Sequence, residues 1–247
     1  MKIAICGKGG VGKTTISGTL ARALARSGHA VTAIDADVNP MLGITLGLGV
    51  DDTERLIGVR QALSNSGLKD AVHEFKVAGL LERYGEDAPD GVRVLVASRV
   101  DMPDHGCLCC GVSADRLLRE IGGDGRIVLS DLEAGLGVMS RMESGSLDLA
   151  LIVANPTPKS IEVARRAAET AIERGIRAVV VANRVQTEED LEEIRSVLGE
   201  HEIAVVPEDP AIAQADAEGV APIDLDASAP GVRAVIEIAD RVTGVRT

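Results

Sequence analysis

Gly7-Lys8-Gly9-Gly10-Val11-Gly12-Lys13-Thr14-Thr15 stands between Lys2-Ile3-Ala4-Ile5-Cys6, an apolar run suited to a buried strand, and residues 16–26, whose apolar spacing is helical. A glycine-rich turn between strand and helix is a phosphate cradle. Glycines let the chain fold tightly enough for successive N–H groups to point at one anion, and the positive end of the helix dipole faces the same place. Lys13 then reaches the β and γ phosphates of a nucleoside triphosphate, and the Thr14 hydroxyl suits the accompanying Mg²⁺. Gly9, Gly10, Val11, Gly12 and Thr15 complete the predicted binding loop. A turn that binds nothing is the bland alternative, which the full spacing in its strand-helix context disfavours.

Composition narrows the class. A chain of 247 residues has the length of one large α/β domain, expected to span 1–247. Phe75 and Tyr84 are the only aromatic residues, so the core must be built from Val, Ile, Leu and Ala, and stacking of nucleic-acid bases is disfavoured. A formal net charge of −12 opposes nonspecific binding to nucleic acid or an anionic membrane. No stretch reaches the roughly 18 to 20 apolar residues of a membrane span, and no apolar leader is evident, so the expectation is a cytoplasmic protein with no stable membrane insertion. Three of the four cysteines cluster as Cys107, Cys109 and Cys110, and in a reducing compartment clustered thiols point to metal more than to disulfides.

Continuous Val/Ile/Leu runs at 31–35, 92–97, 127–132, 149–154, 178–182 and 203–206 read as strands covered on both faces. Helical patterns at 159–174 and 188–198 separate several of them, which predicts an α/β fold: a doubly wound, mostly parallel sheet flanked by helices. Residues 231–242 read as a closing helix. The stretch 50–91, with weak helical periodicity over 55–63 and 68–81, predicts helices and loops beside the sheet.

Acids end two of these strands. Asp35 and Asp37 lie where a strand gives way to a loop, the end at which parallel sheets collect ligands. Phosphoryl transfer to water needs a carboxylate near that water, which favours Asp37, although turn formation would also explain either acid. Ile127-Val128-Leu129-Ser130-Asp131 has the form of a Walker B strand, with Asp131 placed to hold the hydration shell of Mg²⁺. Cys6, inside the first strand, reads as core.

Lys8 with the Gly9-Gly10 pair resembles the deviant phosphate loop of the family that includes the nitrogenase iron protein, MinD and ParA ATPases, and metallochaperone ATPases. The resemblance implies a P-loop ATPase that binds ATP and ADP with Mg²⁺. It makes Lys8, Lys13 and Asp37 catalytic, with Lys8 crossing a homodimer interface to the partner's nucleotide; a solvated loop cation is the alternative for Lys8. Asp131-Leu132-Glu133-Ala134-Gly135 resembles the second switch, where Gly135 approaches the γ phosphate, while Glu133 reads as an exposed carboxylate. Asn183-Arg184 resembles the adenine-reading position, and Val206-Pro207-Glu208-Asp209-Pro210 the loop that closes over the base.

His105-Gly106-Cys107-Leu108-Cys109-Cys110-Gly111 sets the chain apart within that group. Extended, Cys107 and Cys109 would share a face and present two thiolates. A twofold axis would bring a second pair and complete a four-sulfur site suited to Zn²⁺ or Ni²⁺, whereas small inert thiols are the other reading. With the second-switch segment downstream, the paired cysteines resemble the CooC-type ATPases of carbon monoxide dehydrogenase maturation. That likeness implies an ATP-dependent dimer that binds nickel through Cys107 and Cys109 and delivers it to a nickel-dependent client enzyme such as carbon monoxide dehydrogenase. Cys110 stands where that motif would have proline. A MinD- or ParA-like positioning ATPase is the alternative. It leaves the cysteines unexplained.

Overall fold

The structure, a computed structural model, describes residues 1–37, 39–56, 58–59, 61–62, 77–97, 114–121, 124–133 and 145–244. Its centre is an eight-stranded sheet in the order β3-β4-β2-β5-β1-β6-β7-β8. The strands are β1 (Lys2–Gly7), β2 (Val31–Ala36), β3 (Glu86–Asp87), β4 (Arg93–Val96), β5 (Ile127–Leu132), β6 (Leu149–Ala154), β7 (Arg177–Val185) and β8 (Glu202–Pro207). Every pairing is parallel except that of β3 with β4. The doubly wound sheet read from the apolar runs is thus present, with one short antiparallel edge that two exposed acids could not announce.

Strand alternation sorts the core into two layers. Ile3, Ile5, Ala33 and Leu129 pack on one face with Ile16, Leu20 and Leu24 of helix α1 (Lys13–Arg26). Ala4, Cys6, Ile34 and Val128 pack on the other, under helix α6 (Pro158–Glu173) and helix α7 (Glu188–Leu198). Because successive side chains along a strand point to opposite faces, Asp35 and Asp131 share the α1 face with Ala33 and Leu129. They are register partners at the carboxyl ends of β2 and β5.

Between α1 and α6 lie α2 (Leu42–Leu46), α3 (Gly49–Arg55), α4 (Val77–Tyr84) and α5 (Ala114–Glu120). Residues 59, 61 and 62 are helical within the expected 55–63, and helix α3 precedes them. Asp51 and Asp52 in its first turn and Arg55 in its last suit the helix dipole, a charge pattern that apolar periodicity does not register. Helix α4 covers the end of the predicted 68–81 segment; the rest lies outside the described residues. After β8 come α8 (Pro210–Glu218), α9 (Pro222–Leu225) and α10 (Pro230–Thr243), the closing helix, whose Val232, Val235, Ile238 and Ala239 join the α1 layer.

Helix α1 is fixed from behind by Arg22. Its guanidinium is almost fully buried and donates to the Leu46 carbonyl at 2.7 Å, to Asp224 at 2.8 and 2.9 Å, and to Asp90. A buried cation is tolerated only when its donors are matched, and here Arg22 joins α1 to the end of α2 and the start of α9.

Candidate functional site

Helix α1 begins at Lys13, three residues ahead of its apolar pattern, and its N-cap Gly12 supplies no side-chain hydrogen bond. The first N–H groups of a helix lack partners within it, so the amino end of α1 offers uncapped donors, with no acid in the first turn to compete for them. They open on a cavity of about 400 Å³ lined by Gly9, Gly10, Gly12, Lys13, Thr14 and Thr15 at one end. Asn183, Arg184, Pro207, Glu208 and Asp209 line the same cavity, as does Asp37. Residues predicted from separate stretches of sequence therefore meet in one space.

Gly12 has φ +92, and a Cβ there would come within 2.5 Å of the Asn183 amide nitrogen. Only glycine allows that approach. It lets Asn183 Nδ2 donate to the Val11 carbonyl at 2.7 Å, tying the end of β7 to the phosphate loop. Since a carbonyl only accepts, the nitrogen of the amide is assigned to the loop, which leaves the amide oxygen as the acceptor of this side chain. The Val11 side chain lies in the core, and its carbonyl anchors Asn183 to the loop.

Arg184 follows in the left-handed region, with φ 60, where the pairing of β7 with β8 shifts register between Asn183 and Val185. A bulge of this kind turns successive side chains out of alternation at a sheet end. It carries β7 three residues past the predicted strand end. Asp209 has a structural part as well. It lines the cavity, but its carboxylate accepts from Ala211 N at 2.9 Å and Gly231 N at 2.7 Å, capping α8 and holding the start of α10.

Asp131 is 1% exposed. Its Oδ2 accepts from the Thr14 hydroxyl at 2.6 Å and its Oδ1 from Ser17 at 3.1 Å. Burial is the main cause that pushes its pKa up to about 6; hydrogen bonds from Thr14 and Ser17 and the charge of Lys13 oppose the rise, and Asp37 adds to it. Ser17 belongs to none of the motifs quoted from the sequence. The signal was there: a hydroxyl three residues after Thr14 shares its helix face. A hydroxyl and a buried carboxylate held together form an oxygen set that fits Mg²⁺, a hard cation. Lys13 is mostly buried, its ammonium donating to the Lys8 carbonyl at 3.3 Å.

Asp35 is equally buried, and burial, with the nearby Asp131 charge, pushes it well above the usual carboxylate range. Its oxygens accept from Asp37 N at 3.2 Å and Leu42 N at 2.8 Å. Of Asp35, within β2, and Asp37, just after it, Asp37 is the one that opens on the cavity. Lys8 is partly buried and does not line the cavity. Glu133 is exposed, as read from the sequence. Cys6 is buried in the sheet, and burial pushes its thiol up to about 12, the behaviour of an inert core cysteine. Gly135, Cys107, Cys109 and Cys110 lie outside the described residues, among which no group of three or more His, Cys, Asp or Glu could hold a metal ion. No described helix is long and apolar enough to cross a membrane.

The family model of the CobQ/CobB/MinD/ParA nucleotide binding domain matches residues 2–223. The chain is 33% identical over 243 residues to an uncharacterized ATP-binding protein of Methanocaldococcus jannaschii, covering 93% of each protein. It is 32% identical over 240 residues to the carbon monoxide dehydrogenase accessory protein CooC of Rhodospirillum rubrum, covering 91% of this chain and 90% of the relative. Among solved structures, the MinD cell division protein of Aquifex aeolicus superposes with a TM-score of 0.69 at 26% identity, over 100% of this chain and 98% of that one.

Proposed function

Since the chain belongs to the CobQ/CobB/MinD/ParA family of nucleotide-binding P-loop ATPases, we propose that it hydrolyses MgATP as a homodimer and uses the cycle to hand nickel to a client enzyme such as carbon monoxide dehydrogenase. The observation that carries the ATPase part is the one cavity that Lys13, Thr14, Asp37 and Asn183 line together. Uncapped N–H groups of α1 and Lys13 bind the phosphates; the Asn183 amide oxygen and the loop Pro207-Glu208 receive the adenine. Thr14, backed by Asp131, would hold Mg²⁺, which supplies charge neutralisation on the phosphate oxygens. Asp37 orients the attacking water, and Lys8 reaches the partner's nucleotide. Gly135 senses the γ phosphate.

The nickel part rests on Cys107 and Cys109 and on the likeness to CooC. The MinD-like fold favours the second reading, a positioning ATPase. Against membrane targeting stand the net charge of −12 and the closing helix α10, which spends its apolar face on the core.

Equilibrium binding of Ni²⁺ or Zn²⁺ tests the cargo. One metal per two chains is expected, with a sulfur-dominated first shell by X-ray absorption, and loss of tight binding in the Cys107→Ala/Cys109→Ala variant. Undiminished affinity in that variant would remove the cargo reading and leave the ATPase.

A further inference from the structure

The loop after β2 is fastened at both ends to one carboxylate. Asp35 Oδ1 accepts from the backbone N–H of Asp37 at 3.2 Å, and Oδ2 accepts from that of Leu42 at 2.8 Å. Leu42 opens α2, whose N-cap Met41 contributes no side-chain hydrogen bond. A buried strand residue therefore does the work of a cap for a helix that has none of its own. At its far side α2 meets the phosphate loop: the one Thr45 hydroxyl proton is shared between the Leu42 carbonyl at 3.0 Å and the Thr14 carbonyl at 3.1 Å. This contact needs Gly18, where a Cβ would lie 2.3 Å from the Thr45 hydroxyl.

We propose that Asp35 is a positioning residue for the hydrolysis, setting the Asp37 carboxylate at the nucleotide cavity by pinning the loop 37–42 to β2; this rests on the ATPase reading above. Asp35 does not line the cavity, whereas Asp37 does. It acts only through the backbone it holds. Reaction rates fall steeply when a water-orienting group moves by about 1 Å, of the order of a hundredfold, while phosphate contacts made by Lys13 and the loop N–H groups are left alone.

Asp35→Asn tests this, because it conserves volume, but its amide nitrogen is a donor set against a donor N–H and so releases one end of the loop. At fixed pH, kcat should fall roughly ten- to hundredfold with ATP affinity and KM within about twofold of wild type. In an Asp37→Ala background the same substitution should cost nothing further, since two residues acting as one unit are not additive. Hydrogen exchange of the Asp37 and Leu42 amides should quicken at one or both positions. Unchanged kcat, a loss confined to ATP affinity, or a full additional loss in the Asp37→Ala background would overturn the positioning role. Exchange is read without turnover: unchanged protection at both amides would refute the pin itself, and a wild type that hydrolyses no ATP would instead refute the ATPase reading.

Discussion

Asp131→Asn should make the nucleotide-free protein more stable while removing its metal-dependent turnover. The wild-type carboxyl is 1% exposed and its pKa is pushed from 3.8 up to about 6, mainly by burial. Folded protein therefore holds this proton more tightly than unfolded chain, so the stabilisation it gives is complete below about pH 4 and lost as pH rises through about 6. Above that range the ionised group costs roughly two pKa units, or about 3 kcal/mol as a ceiling. Asparagine keeps the shape and both partners, because the hydroxyls of Thr14 and Ser17 can donate to its oxygen or accept from its nitrogen. It also relieves the repulsion that reaches Asp35. For a chain of this length about 3 kcal/mol corresponds to a rise in Tm of roughly 6–12 °C. Thermal unfolding with chelator present, at pH 7.5 and at pH 4.5, reads the effect. The variant should be more stable at pH 7.5, with the gap closing at pH 4.5. A variant less stable at pH 7.5, or an equal gap at both pH values, would refute the reasoning.

Gly12→Ala should cost about 2 kcal/mol of stability, combining left-handed strain of about 1 kcal/mol with loss of the hydrogen bond from Asn183 to Val11. Gly10→Ala, at φ +78 with nothing within 4 Å, should show the strain alone; denaturant melts of the pair check the difference. Lys8→Ala should weaken ATP-dependent dimerisation more than nucleotide affinity, read by sedimentation beside nucleotide titration. Equal dimerisation would return Lys8 to a solvated loop cation.

Apolar runs made the sheet legible because strands buried on both faces must be apolar throughout: 127–132 and 149–154 match β5 and β6 residue for residue. Edge strand β3 carries no such signal, since neither Glu86 nor Asp87 is buried. Within the site, the phosphate loop, Asp37, Asp131 and Asn183 were readable from motif and position. Their couplings were not. That Asn183 grips Val11, or that Asp209 turns to cap α8, follows from distances across the fold that no local spacing encodes. Ser17 and Asp35 fall between the two kinds. Each has the right residue type at a readable place, but its partner comes from another strand or helix.

Single-turnover hydrolysis by Asp37→Ala, with ATP affinity measured on the same preparation, tests most directly the claim that this cavity binds and hydrolyses MgATP. Affinity should stay within about twofold while the rate falls by the order of a hundredfold, because the phosphate contacts survive and the water loses its orienting group. Hydrolysis at the wild-type rate would contradict the account, as would a loss explained wholly by weaker ATP binding.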